Sequence, residues 1–274
     1  MGLIARIKKL HLVNRNAVWW NSPLPVVEKF LYYGSMFSSI VRAYLVKKKR
    51  IKYLGDNLYY DNFATPLSLQ AYPYEIYNSI LANTPHFKVK RVLDIGGNIG
   101  QFSLTLSHAL KDNVHIDVLE PNPEAFQLLR LNTAHRKNIR IFNLGIGKPS
   151  LKHMYYTPGR SATGSVFKRN ADVESVAKKT KINLVDNIVK VTGRLNYDLV
   201  KIDVEGYEYN LLEVIKPLQT KLMFLEVSGR GRYKNFPHSR LFSLIEKKFG
   251  KFDIVHLSGG SLSSNNFDIM LKFV

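Results

Sequence analysis

The run Val92-Leu93-Asp94-Ile95-Gly96-Gly97-Asn98-Ile99-Gly100 constrains this chain more than any other. Arg91 to Ile95 is an apolar stretch of strand length, and it passes through glycines into a segment with another period. From Gln101 to Leu110 the apolar residues Phe102, Leu106, Ala109 and Leu110 recur at helical spacing. Strand, glycine turn and helix together open an α/β unit. Glycines allow a tight turn and let a ligand approach with no Cβ in the way. The helix that follows presents free N–H groups at its start. In a dinucleotide enzyme those groups hold a pyrophosphate. Here Gly96, Gly97 and Gly100 do not space as G-x-G-x-x-G, and the Asp94 carboxylate repels phosphate. An acid at this place suits a cationic ligand with an amino acid moiety.

The same alternation continues. Strands are predicted over His115–Leu119, Ile139–Ile146, Asp198–Val204 and Lys221–Val227, with helices over Glu124–Ala134, Tyr207–Ile215 and Arg240–Phe249. Asp253–Leu257 and Phe267–Phe273 form a final pair, joined by a Gly/Ser/Asn-rich loop suited to a hairpin. Alternating strands and helices predict a seven-stranded, mostly parallel sheet with helices on both faces. With a C-terminal β-hairpin this is the layout of the class I methyltransferase (Rossmann-like) α/β fold, and other doubly wound folds share much of it. Residues 148–190 interrupt the alternation. Within them Lys152–Tyr156 and Ser165–Lys168 read as strands and Asp172–Lys181 as a helix. The stretch falls on the carboxyl edge, where such sheets bind ligands, and is read as a substrate-facing insertion or lid.

Glu120 ends the second strand, where an acid accepts hydrogen bonds from ribose hydroxyls. With Asp94 in the preceding unit, it points to S-adenosylmethionine, which carries an ammonium, a sulfonium and a nucleoside. A second group of acids follows in Lys201-Ile202-Asp203-Val204-Glu205-Gly206-Tyr207-Glu208. Read as strand residues, Asp203 and Glu205 share one face, and Glu226 ends the neighbouring strand. Asp203, Glu205 and Glu226 are the candidate catalytic residues, as bases or as acceptors that orient a hydroxyl. The alternative use of the three, holding a magnesium ion, is not favoured, and no metal is expected. Glu208 reads as a residue stabilising a helix start, and Lys201 as a partner for a nearby acid.

VLDIGGNIGQFSL, LEPNPEAFQLLRLN and DLVKIDVEGYEYNLL together resemble the FkbM-type methyltransferase family over roughly residues 65 to 250. The resemblance implies that Asp94, Gly96, Gly97, Asn98 and Gly100 meet the methionine part of the cofactor, with Glu120 on the ribose. It implies that Pro121 and Asn122 shape the adenine side and that Leu144 flanks the ring. It also implies an O-methyltransferase acting on a hydroxyl of a sugar, glycan, glycolipid or secondary metabolite. The family commonly has Ala where this chain has Gly97.

Charge sets the remaining expectations. The formal net charge is +19, and residues 1 to 52 carry eleven Lys and Arg against a single acid, Glu28. Such a balance favours anionic partners. Residues 1–64 are read as a helical, basic N-terminal extension and 65–274 as the methyltransferase domain. Phe30–Val46 is apolar but short for a membrane span and broken by Arg42, and Lys47–Arg50 follow it. This predicts peripheral membrane contact or packing on the domain. The chain has no cysteine, which excludes a disulfide framework, thiolate zinc sites and a cysteine nucleophile. A cytoplasmic protein acting on a small-molecule or glycan acceptor is expected. The alternatives are an RNA methyltransferase, against which D-V-E-G stands in place of an N-P-P-Y-type motif, and a non-catalytic binder of nucleic acid or anionic membrane.

Overall fold

The computed structural model describes residues 49–54, 56–61, 88–157, 160–165, 178–228, 238–258 and 266–274. The expectations for Phe30–Val46 and for the basic residues before Lys49 lie outside them. The first described elements are strands β1 (Arg50–Tyr53) and β2 (Asp56–Tyr59). Strand β3 (Arg91–Ile95) and helix α1 (Gln101–Ala109) follow, then β4 (His115–Leu119), α2 (Pro123–Thr133), β5 (Ile139–Phe142) and β6 (Gly145–Ile146). Next come β7 (Ser150–Thr157), β8 (Arg160–Ser165), β9 (Lys178–Val185), α3 (Ile188–Thr192), β10 (Asn196–Ile202) and α4 (Glu208–Val214). The last elements are β11 (Gln219–Ser228), α5 (His238–Phe249), β12 (Phe252–Ser258) and β13 (Asn266–Phe273).

Seven strands form one sheet in the order β12-β13-β11-β10-β3-β4-β5. Neighbours pair in parallel except around β13, which runs antiparallel to both β11 and β12. This is the class I methyltransferase fold expected from the alternation. Strands β3 and β4 are exposed only at their first residue and buried after it, as suits strands covered on both faces. Successive side chains feed opposite faces. Val92, Ile116, Leu199 and Leu222 join one core with α1 and α2, while Leu93, Leu119, Val200 and Met223 join the other with α4 and α5.

Three expectations change. Arg50–Tyr59 is an antiparallel hairpin rather than part of a helical extension. Its Ile51, Tyr53, Leu58 and Tyr60 are buried in the core that α1 and α2 share. RIKY alternates polar and apolar residues with period two, but it is only four residues long and follows a run of lysines, and DNLY shows no such alternation. The single strand predicted over Ile139–Ile146 breaks at Asn143, whose Nδ2 donates to the carbonyls of Glu120 (2.8 Å) and Pro121 (3.3 Å). Past the break, β6 joins a second sheet in the order β6-β9-β7-β8. The predicted helix Asp172–Lys181 fails where it is described, because Lys178–Lys181 is strand β9, paired antiparallel with β7. Residues 166–177 lie outside the described residues.

Candidate functional site

The crevice is built where β3 ends. Gly96 N and Gly97 N both donate to the carbonyl of Leu119 (2.9 and 3.0 Å), which folds the loop across β4. Gly96 has φ 84°, and a Cβ there falls 1.8 Å from the carbonyl oxygen of Asp203. A Cβ at Gly97 falls 2.1 Å from Val118 Cγ1, so the alanine common at this place in the family clashes here. Gly100 (φ 91°) caps α1 with no side-chain bond.

Glu120 joins two of the predicted loops. Its Oε2 accepts from Asn98 N and its Oε1 from Asn122 N, each at 2.8 Å. Burial pushes its carboxyl up to about 7; the two N–H groups and Lys201 oppose the shift and Asp94 adds to it. Asn122 Oδ1 caps α2 by accepting from Glu124 N, with Pro123 at the first helical position. Leu144 sits between Asn143 and Gly145, and the ideal Cβ of Gly145 lies 3.3 Å from Pro121 Cβ. The structure thus brings Gly96, Gly97, Asn98, Gly100, Glu120, Pro121, Asn122 and Leu144 around one edge.

Asp94 is different from expectation. It is wholly buried, with Oδ2 accepting from Ser103 Oγ (2.6 Å) and Oδ1 from Lys201 Nζ (3.2 Å). Lys201 lies opposite Asp94 in the β10–β3 register and also meets Asp203 Oδ2 at 3.3 Å and the carbonyl of Gly96 at 3.2 Å. Burial opposes the Lys201 charge, but Asp94 and Asp203 outweigh burial and hold it above its ordinary range. The Asp94 charge is therefore already balanced within the protein.

The second group also departs from simple alternation. Strand β10 stops at Ile202, and Glu205 has φ 50°, so Asp203 and Glu205 are not two residues of one strand face. Asp203 is held by its N–H to the carbonyl of Ile95 (3.0 Å). The acids still converge. Glu226 shares a hydrogen bond with Asp203, and the negative charge of Asp203, then burial, then that bond push Glu226 well above the usual carboxyl range. Glu205 and Asp268 add to the shift. Asp268 had no signal in the sequence; it arrives as the cross-strand partner of Glu226 in the β11–β13 ladder. Glu208 is buried and accepts from Gly206 N at 2.7 Å, as a turn-stabilising acid does, and burial pushes it up to about 8. Among the described residues no three His, Cys, Asp or Glu side chains are placed to hold a metal ion.

Several buried polar atoms here have no hydrogen-bond partner among the described residues. They are Asn98 Oδ1, both side-chain polar atoms of Gln101, and Asn122 Nδ2. Leaving one such group unsatisfied costs about 1–3 kcal/mol. All lie on the glycine loop, the first residue of α1, or the cap of α2. Donors and acceptors left over beside glycines that admit no side chain fit a polar nucleoside with an amino acid end. Gln101 and Asn143 are additions that motif spacing could not supply.

A family model, the methyltransferase FkbM domain, matches residues 94–252, more than half of the chain. This chain belongs to the FkbM methyltransferase family. As a family member it is an S-adenosylmethionine-dependent methyltransferase. Solved structures are also similar to this FkbM methyltransferase. A methyltransferase FkbM from Methylobacillus flagellatus shares 12% identity, covering 99% of this chain and 60% of the other, at TM-score 0.43. Fibrillarin from Aeropyrum pernix, solved with S-adenosyl-L-methionine bound, shares 13% over 81% of each chain at TM-score 0.42. Precorrin-6y C5,15-methyltransferase from Geobacter metallireducens shares 14%, covering 73% of this chain and 87% of the other, at TM-score 0.39. None of the curated proteins matches the chain. Among the described residues no helix is long and apolar enough to cross a membrane.

Proposed function

We propose that this methyltransferase methylates a hydroxyl of a sugar, glycan or glycolipid. The observation that carries the reading is the acid cluster of Asp203, Glu205 and Glu226 beside the glycine loop. S-adenosylmethionine supplies an electrophilic methyl group. The protein must then align an oxygen with it and manage one proton. Alignment is the larger contribution in such displacements. Asp203, whose side chain is 19% exposed, is the acid through which the cluster meets an acceptor hydroxyl. Lys201 stands at one of its oxygens, and Glu226 shares a hydrogen bond with it. A carboxylate so placed orients the hydroxyl by accepting its hydrogen bond and receives the proton as the oxygen–methyl bond forms. Glu205 adds negative charge at the same mouth and disfavours an anionic group at the reacting centre itself.

The test uses mass spectrometry of a glycan extract with and without the enzyme, seeking the gain of one methyl group on oxygen. Asp203→Asn should keep donor binding by calorimetry and lower turnover about 100-fold or more, as loss of an acid–base group does, and Glu205→Gln should keep donor binding with a smaller loss of turnover. Glu120→Ala should instead weaken donor binding. Full turnover in Asp203→Asn, or a methyl group found on nitrogen, removes the hydroxyl reading.

A further inference from the structure

The second sheet carries an unusual charge pattern for a surface so close to the reaction edge. Its four strands contain no Asp or Glu, yet β7 carries Lys152 and His153, and β9 carries Lys178, Lys179 and Lys181. The register divides them between two faces. Met154, Ile182 and Leu184 are buried together on the inner face. On the outer face His153 lies directly opposite Lys181 and Tyr155 opposite Lys179, and His153, Lys179 and Lys181 are exposed. Among the described residues none of those three pairs with a carboxylate. Basic side chains directly opposite each other across a ladder are unfavourable, and nothing within this sheet offsets them.

The inner face touches the catalytic edge. Lys152 Nζ stands 4.9 Å from the centre of the Tyr207 ring, in the turn that follows Asp203 and Glu205, and Tyr156 OH donates to Glu124 at the start of α2 (2.8 Å). The basic residues His153, Lys179 and Lys181 thus stand on the reverse of a small sheet whose inner face borders the acids of the reaction centre. The grooves at the opposite, amino-terminal edge of the main sheet differ. There Lys221 pairs with Asp198, which also accepts from Lys90 N and Arg91 N.

We propose that the outer face of the β7–β9 ladder docks the anionic part of the acceptor, making that acceptor an acidic oligosaccharide bearing carboxylate, sulfate or phosphate groups. The inference rests on the reading that a glycan hydroxyl is methylated, and adds the charge of that glycan. Lys179 and Lys181 project from one face about 7 Å apart along the strand. That spacing serves two or three anionic groups on a short glycan. It falls short of the track needed for the roughly six to ten phosphate contacts of a nucleic-acid binder. Opposite charges at the two places sort the substrate: its anionic groups are held on the lysines, and its neutral hydroxyl is the part tolerated beside Asp203 and Glu226.

The test is binding to the full chain by calorimetry at two salt concentrations. The probes are a sulfated heparin hexasaccharide, neutral maltohexaose and a 12-nucleotide single-stranded RNA. Lys179→Glu/Lys181→Glu is compared with Lys88→Glu/Lys90→Glu, which makes the same charge change at exposed positions on the opposite edge. The hexasaccharide should bind the parent, weaken at least tenfold in Lys179→Glu/Lys181→Glu and change less than twofold in the control. Maltohexaose should not bind, and donor affinity should be the same in all three proteins. Equal loss in both variants, loss in neither, or equal binding of maltohexaose overturns the docking face. RNA that binds tighter than the hexasaccharide and is lost in Lys179→Glu/Lys181→Glu overturns the glycan as its occupant. A docking result as expected, with methyl found on nitrogen, discards the hydroxyl reading and leaves the anionic docking face standing.

Discussion

Glu120 and Lys201 are two buried ionisable groups with opposite consequences. Glu120 is pushed by burial up to about 7, against an ordinary 4.5. Ribose hydroxyls donating to it favour its ionised form. Below about pH 7 the free protein holds a proton that donor binding must release, so affinity should fall as pH drops from 7 toward 5, by up to about tenfold per pH unit. Calorimetry at pH 6 in buffers of different ionisation heat should record proton release, and Glu120→Gln should bind more weakly with a flat pH response. A flat response in the parent protein refutes the Glu120–ribose contact. Lys201 is raised above its ordinary 10.5 by Asp94 and Asp203, so its contribution is complete at neutral pH and fades only above 10.5. Removing it as Lys201→Met leaves two carboxylates facing each other without a cation. The expected loss is about 3–5 kcal/mol of stability, as for other broken buried pairs. Acid lessens the unbalanced negative charge, so the deficit should be smaller at pH 5 than at pH 8 in urea denaturation. Asp94→Asn/Lys201→Met should recover part of it. A deficit that grows on acidification contradicts this charge balance.

The hairpin β1–β2 shows how a distant element supports the glycine loop. Asn132 on α2 accepts from Tyr59 N (2.7 Å) and donates to the carbonyls of Tyr59 (3.0 Å) and Ile99 (2.8 Å). One buried amide thus ties the hairpin to the residue before Gly100. Tyr53 OH and Thr105 Oγ1 make a second tie, to α1. Asn132→Ala leaves one buried and two partly buried backbone groups without their partner and should cost about 2–4 kcal/mol, given roughly 1–3 kcal/mol for each unsatisfied group with partial relaxation. Donor affinity should fall with it, because the loop loses a fixed point. Thermal unfolding with and without S-adenosylmethionine reads both effects; unchanged donor affinity would show that the hairpin supports stability alone. Arg136, which pairs with Asp56 and Asp112, adds a partly exposed clamp whose screening by water makes it the weaker support.

At the scale of the whole molecule, a parallel sheet with one antiparallel strand gathers residues far apart in sequence onto a single edge. Asp94, Glu120, Asp203 and Glu226 each stand at or just past the carboxyl end of a neighbouring strand. Asp268 joins them because β13 runs the opposite way, so its beginning meets the end of β11. The same topology sets the second sheet, with its basic face, beside that edge through Lys152 and Tyr156.

Apart from β5, which stops four residues before the predicted end, the amino-acid sequence determined the strands and helices of the main sheet within a residue or two, because buried parallel strands and amphipathic helices write their periods locally. It determined the glycine loop, since only glycine takes φ 84° at a place where a Cβ meets backbone. It marked Asp94, Glu120, Asp203, Glu205 and Glu226 as acids at strand ends. Tertiary structure alone decided what those acids do. Whether Asp94 is bare or balanced depends on Lys201 lying across from it in register, and whether Glu226 keeps a proton depends on Asp203 and Asp268 crowding it. Such contacts join residues through the lateral pairing of strands, and no local period in the chain records that pairing. For the same reason neither the hairpin at Arg50–Tyr59 nor the strand that begins at Lys178 is legible in the sequence: a charged surface strand has too few apolar residues to display its period, and its partner across the ladder supplies the reason it is a strand.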